Sequence, residues 1–371
     1  MDYSLLFIVL FLLGFGLVMV YSTSSYEANL DFGDSAFYFK KQLGATILGI
    51  VVMLIVANIP YHFWERFAVI GYAVSAFLIL LIIPFGYEAN GAKRWLRIAG
   101  ISLQPAEVAK LCMILFLASM ICSMGKRIRH RKGFYTVLAV PVPIALMLWK
   151  ITSNMSSAII VMGIAILMLF VACPEYKRFI LLGLVALAGA ALIVFVIVKM
   201  AESGTDSLNF RGARILAWLD PEAYASGKGF QTLQALYAIG SGGILGKGLG
   251  ASMQKLGFLP EAQNDMIFSI ICEELGLFGG IAVILMFLLL IWRFMVIANN
   301  APDLFGALLV VGVLGHIAIQ VILNIAVVTN TIPNTGISLP FISYGGTSVL
   351  FLMIEIGLVL SVAKGIHLKD L

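Results

Sequence analysis

Four carboxylates crowd the stretch LPEAQNDMIFSIICEELG at residues 259–276, where Glu261, Asp265, Glu273 and Glu274 stand as a polar loop passes into a long apolar run. A carboxylate at such a boundary can take a proton from a hydroxyl or hold a cation. Asp265 sits at the water–apolar boundary itself. Glu273 and Glu274 lie about two turns further along and point about 100° apart on a helix, so they cannot share a face. At least one of them should face a protein interior or a cavity, because a charge in lipid costs several kcal/mol.

Other polar groups interrupt apolar runs in the same way. Glu107 and Lys110 are three apart, share a helix face, and can pair with each other or with a ligand. Gln104 and Pro105 lie just upstream, at the end of that run. Glu355, with Gln320 and Asn324 in the preceding run, forms a further buried polar set for which helix–helix hydrogen bonding is the preferred reading. A phosphate-loop reading of GILGKGLGA fails. Ser241 stands where that motif needs its first glycine and Gly248 where it needs Ser or Thr, so turn geometry explains the glycines better. Cys112, Cys122, Cys173 and Cys272 all fall in apolar runs without paired spacing, which argues against disulfides and a metal site.

The elements that must position these groups are membrane spans. The chain is 61% hydrophobic and only 12% charged over 371 residues, with mean hydropathy +1.04. Apolar runs long enough to cross about 30 Å of hydrocarbon recur throughout. We place ten spans near 4–22, 42–59, 66–84, 105–123, 134–151, 155–173, 179–199, 265–293, 304–328 and 341–362. Backbone satisfaction in lipid makes them helices. The fold class is an all-α polytopic membrane protein, a single integral membrane domain over 1–371. The first span lacks a cleavage-site pattern and is read as an anchor.

Lys126, Arg127, Arg129, Arg131 and Lys132 lie between the fourth and fifth spans, and Lys177 and Arg178 between the sixth and seventh. Both loops should be cytoplasmic, which puts both termini inside, in agreement with Lys364 and Lys369. The net charge of +5 follows from this bias and calls for no nucleic-acid partner. The cluster NGAKRWLR, with Lys93, Arg94 and Arg97, breaks the rule by falling on the outer side. That suggests a task for these cations. About sixty residues separate the seventh and eighth spans, and this large extracytoplasmic loop, 200–264, is read as bearing part of an active site. Within it, GKGFQTLQALYAIGSGG looks like a short amphipathic or re-entrant helix. The segment TNTIPNTGISLPFISYGGTS is too rich in Pro and Gly for a smooth helix and should line a cavity shared with the loop.

NGAKRWLRIAGISLQPAEVAK, DPEAYASGKGFQTLQALYAIGSGGILGKGLG, LPEAQNDMIFSIICEELG and ISLPFISYGGTS together resemble the SEDS family (shape, elongation, division and sporulation), which includes FtsW, RodA and SpoVE. The resemblance covers essentially the whole chain and is closer to the FtsW and SpoVE branch. Gln263, Asn264 and Ala106 depart from the family's usual His, Thr and Ser. The resemblance implies peptidoglycan glycosyl transfer: lipid II is polymerised into glycan strands at the bacterial cytoplasmic (inner) membrane, in cell division or cell-shape control.

Such transfer is inverting, from an α-linked donor to a β product, so a single carboxylate base is adequate. Asp265 occupies the place of the family's essential aspartate. Lys93, Arg94, Arg211, Arg214 and Lys255 are the cations on offer to the departing diphosphate, although lipid head groups would attract them too. Gln104, Glu107, Lys110, Glu261, Ser343 and Tyr344 are placed with the substrate, and Glu273, Glu274 and Glu355 with the scaffold. A divalent cation, Mg or Mn, on Asp265 is a second route to charge neutralisation, and no organic cofactor is expected. Implied partners are lipid II, the growing glycan, a class B penicillin-binding protein that acts as a monofunctional transpeptidase, and other divisome or elongasome membrane proteins. Apolar outward surfaces on the eighth and ninth spans are candidate docking faces. Two rival readings stay open: a lipid II flippase, which should show related halves that this chain lacks, and a non-catalytic cell-wall scaffold.

Overall fold

The computed structural model describes residues 2–89, 92–98, 101–173, 175–202, 210–227 and 229–366. Among these, ten helical stretches are long and apolar enough to cross a membrane. They are α1 (Tyr3–Phe32), α2 (Phe37–Asn58), α4 (Ala68–Phe85), α5 (Pro105–Met124), the pair α6 (Arg131–Ala139) and α7 (Pro141–Lys150), α8 (Met155–Ala172), α9 (Tyr176–Glu202), α12 (Ile267–Asn299), α13 (Leu304–Val328) and α14 (Gly346–Lys364). A short α3 (Tyr61–Glu65) joins α2 to α4, while α10 (Phe210–Leu219) and α11 (Phe230–Gly242) lie between α9 and α12.

Local chemistry sets where several of these helices start and stop. Asp2, Asn154 and Asp303 accept from Leu5 N, Ser157 N and Gly306 N, satisfying donors that the first turns of α1, α8 and α13 leave open. α1 runs ten residues past its expected end and stops at Gly33, whose φ of 67° suits glycine. The expected single span over 134–151 is two helices. Pro141 lacks the N–H to continue α6 and opens α7 instead. α14 begins at Gly346 and not at 341, because Phe341 has a positive φ of 64° and Gly345 stands in extended, non-helical backbone.

The chain also contains a three-stranded antiparallel sheet, β1 (Gly86–Ala89), β2 (Ala92–Ile98) and β3 (Ile101–Leu103), which the all-α reading did not anticipate. The register of β1 on β2 breaks between Tyr87 and Glu88 and leaves Arg94 as the extra residue of a bulge. Leu96 is buried, Arg94 half-buried, and Lys93 and Arg97 are exposed. Burial therefore distinguishes Arg94 from its two exposed cationic neighbours.

The core sits where α5, α8, α13 and α14 pack, and α13 and α14 are the most enclosed spans. α9 is the opposite extreme. None of its most apolar stretch is buried, and it leans mainly on α8 and α10. The ninth span, α13, exposes few large apolar residues, Leu304 and Ile322. α12 presents a broad apolar outward surface, with Leu277, Phe278, Ile281, Leu285, Leu288 and Trp292 exposed.

α12 is broken at Gly276, with φ 67° and ψ −164°. The carbonyls of Glu273 and Glu274 accept instead from Lys247 N (3.0 Å) and Gly248 N (2.9 Å), and Leu277 N donates to Gly243 O. A short stretch of the preceding loop thus replaces the lost helical bonds, as backbone at membrane depth requires. A Cβ at Gly276 would lie 2.3 Å from Gly246 N, so the contact exists only because both residues are glycine.

Candidate active site

Asp265 lies two residues before α12 begins at Ile267, and its surroundings come from four directions. Asn324 of α13 donates to the Asp265 carbonyl (2.8 Å) and to Ile337 O (2.6 Å). Gly336, at φ 68°, brings the broken segment ahead of α14 against the carboxylate, with Oδ2 3.6 Å from where a Cβ would stand. Arg214 of α10 and Glu261 are the neighbouring charges. Oδ1 is buried with no hydrogen-bond partner among the described residues. Burial, and the Glu261 charge after it, push the Asp265 carboxyl up to about 7, against a smaller downward pull from Arg214. A base so poised serves proton transfer at neutral pH.

Two guanidinium groups lie near one another beside this site, one of them, Arg214, close enough to act on Asp265. Arg94 reaches in from β2 and donates to Ser153 O (3.1 Å), while Arg214 donates to Asn334 O (3.3 Å). Arg94 is held below the usual arginine range, first by burial and then by the Arg214 charge. Its Nε is also buried without a partner among the described residues. Like charges held together in this way favour an anion between them.

Two clefts flank the 334–338 segment. One, of about 190 Å³, is lined by Arg214, Trp218, Phe230, Gln231, Pro260 and Asn334. The other is polar and narrower, lined by Gln104, Glu107, Lys110, Gln320, Gly336 and Ser338 among others. Glu107 and Lys110 pair at 2.8 Å, both nearly fully buried, as their spacing predicts.

Other residues expected at the site stand elsewhere. Lys255 is not a substrate-side cation: it is buried, its Nζ 2.6 Å from Glu274 Oε1 and 2.9 Å from Ser22 Oγ. Ser343 is buried and stitches backbone together, accepting from Leu339 N and donating to Asn264 O. Tyr344 N donates to Gln263 O, and its ring packs edge-on against Tyr38. Lys93, in β2, is exposed. Arg211 falls in α10, but its side chain lies outside the described residues.

Glu261 has a positive φ of 57° and accepts from Asn264 Nδ2. Glu273 and Glu274 are both fully buried. Lys247 (2.7 Å) and Ser252 hold Glu273, as Lys255 and Ser22 hold Glu274. Adjacent acids on different faces are thus both enclosed, because the loop covers one face and α1 the other. Glu355 pairs with His316 at 2.8 Å. The sequence reading passed over His316, although His316, Gln320 and Asn324 recur every four residues as a polar stripe on an apolar helix.

No group of three or more His, Cys, Asp or Glu suited to a metal occurs among the described residues. Asp265 and Glu261 are two neighbouring carboxylates, which suits a cation completed by substrate and water oxygens but not a closed protein site.

The family model for cell cycle proteins of the FtsW, RodA and SpoVE type matches residues 3–367. The chain is 40% identical to stage V sporulation protein E of Bacillus subtilis over 98% of its length and 97% of that protein's. It is 39% identical to a probable peptidoglycan glycosyltransferase FtsW of Trichlorobacter lovleyi, over 100% and 95%. Among solved structures it resembles a chain of a peptidoglycan synthase complex that coordinates polymerization and crosslinking, with TM-score 0.78, 26% identity, and 99% and 98% covered. It also shares the fold of the Thermus thermophilus rod shape determining protein RodA, with TM-score 0.68, 24% identity, and 99% and 97% covered. With ten candidate spans and a family-model match over residues 3–367, the chain belongs to the FtsW, RodA and SpoVE family of multi-pass membrane proteins.

Proposed function

We propose that this chain is a peptidoglycan glycosyltransferase that polymerises lipid II, with Asp265 as general base. The observation that carries the assignment is the buried Oδ1 of Asp265, without a hydrogen-bond partner among the described residues, near Arg214, which in turn lies near Arg94. Asp265 takes the proton from the acceptor 4-hydroxyl, and that oxygen attacks the donor anomeric carbon from the face opposite the diphosphate. As the new bond forms, the bond to the diphosphate oxygen breaks. Its electron pair leaves with undecaprenyl diphosphate, whose charge Arg94 and Arg214 are placed to meet. One displacement inverts the α donor into a β link. The segment before α12 supplies the base, and the polar cleft at Glu107 and Lys110 supplies a binding wall. A divalent cation, Mg or Mn, on Asp265 or Glu261 would be an alternative route to neutralising diphosphate charge.

The site end of the bundle faces outward in this reading, both termini are cytoplasmic, and the membrane is the bacterial cytoplasmic one. A class B penicillin-binding protein cross-links the product, consistent with the likeness to a chain of a peptidoglycan synthase complex. The test is polymer formation on a gel from purified protein and lipid II, with and without that transpeptidase and a divalent cation. Wild type should yield polymer and Asp265→Ala none. Lipid II crossing vesicle membranes without polymer would instead establish a flippase.

A further inference from the structure

The buried polar stripe of α13 extends beyond the residues so far given a task. His316 and Glu355 are fully enclosed, Gln320 and Lys110 nearly so. His316 Nδ1 lies 2.8 Å from Glu355 Oε2, and Nε2 lies 2.9 Å from Gln320 Oε1. Gln320 Nε2 donates to the Ser338 carbonyl at 3.0 Å, which fixes the amide and leaves Oε1 facing His316. A carbonyl oxygen only accepts, so His316 Nε2 carries the hydrogen. Lys110 Nζ donates to the same oxygen at 3.4 Å, and its partner Glu107 stands at 2.8 Å. Five buried groups on α13, α14 and α5 thus form one connected chain. It ends on the Ser338 carbonyl and on Lys110, two walls of the polar cleft beside Asp265. One turn further along α13, Asn324 holds the Asp265 and Ile337 carbonyls directly.

We infer that His316, oriented by Glu355, is a positioning residue for glycosyl transfer: it locks the Gln320 amide so that Ser338 and Lys110 keep the substrate against Asp265. A flipped amide would turn a donor toward Lys110 and a second acceptor toward the Ser338 carbonyl, and the wall would move. Misplacement of a reacting group by about 1 Å can cost about a hundredfold in rate. The inference rests on the assignment of the cleft beside Asp265 as the reaction site.

The test replaces the pair by an apolar one, His316→Leu with Glu355→Leu, which leaves no buried charge unpaired. Purified enzyme is assayed with lipid II beside its thermal unfolding in detergent. A folded double variant should lose at least tenfold in kcat with KM changed less than twofold. Adding Gln320→Leu should then cost little more, because both changes act through one group. A folded double variant within twofold of wild-type kcat would overturn the inference, as would a Gln320→Leu penalty as large in the double variant as in wild type. If the double variant does not fold, Gln320→Glu decides. It still accepts from His316 and Lys110 but cannot donate to Ser338, so wild-type kcat in Gln320→Glu sinks the proposal and a tenfold loss upholds it. Asp265→Asn runs alongside: full activity there would refute the cleft itself, whereas an inactive Asp265→Asn beside an active double variant refutes only the role of His316.

Discussion

At the level of single residues, the environment of Asp265 makes the reaction sensitive to pH. Its carboxyl is pushed up to about 7 by burial and by Glu261. The base must be ionised to take a proton, so kcat/KM should rise with pH on an acid limb centred near 7 and level off above it. Glu261→Gln removes the neighbouring charge that favours protonation, and the limb should move to lower pH. Arg214→Gln removes a charge that favours ionisation, and the limb should move up, whatever else it does to the rate. A pH–rate profile reads the two shifts separately from the loss in amplitude. If both variants moved the limb in the same direction, the electrostatic account of Asp265 would be wrong.

At the level of elements, the break in α12 and the loop laced into it make a strong demand on two glycines and one ion pair. Gly276→Ala forces an L side chain into φ 67° and against the backbone of Gly246. It should destabilise by at least the ~1–3 kcal/mol of a backbone region that is essentially glycine-only, seen as a lower unfolding temperature in detergent. Lys255→Met leaves Glu274 buried beside Ser22 without its cation and should cost about 3–5 kcal/mol. Lys255→Met with Glu274→Met should recover much of that loss.

These same elements mark what the sequence made legible. The spans were readable because length and hydropathy are local properties, and Glu107 with Lys110 because helical spacing is. Lys255 was misassigned because its partners, Glu274 and Ser22, lie 19 and 233 residues away, a pairing no local pattern carries. Strand β2 was missed because a short alternating run between two spans resembles a loop, and with it went the distinction between Arg94 and Lys93. His316 gave a signal, the four-residue stripe with Gln320 and Asn324, but it emerges only when the three are set on one helix.

For the whole molecule, the consequence to test is direction in the membrane. α5 connects the two ends: it starts beside the polar cleft at Gln104 and finishes at the basic stretch after Met124. Twenty helical residues rise about 30 Å, one hydrocarbon thickness. Exposed Lys93 on the sheet and exposed Lys126 after α5 should therefore lie on opposite sides of the bilayer. The basic loop fixes which side is which, since short loops rich in Lys and Arg stay in the cytoplasm. The four native cysteines are partly or fully buried and give a low labelling background. In intact spheroplasts an impermeant maleimide should label Lys93→Cys and leave Lys126→Cys untouched until the membrane is opened. The reverse pattern would put Asp265 and its two arginines on the cytoplasmic face. Glycan could not then be polymerised outside the cell by this site, however well its geometry suits the chemistry.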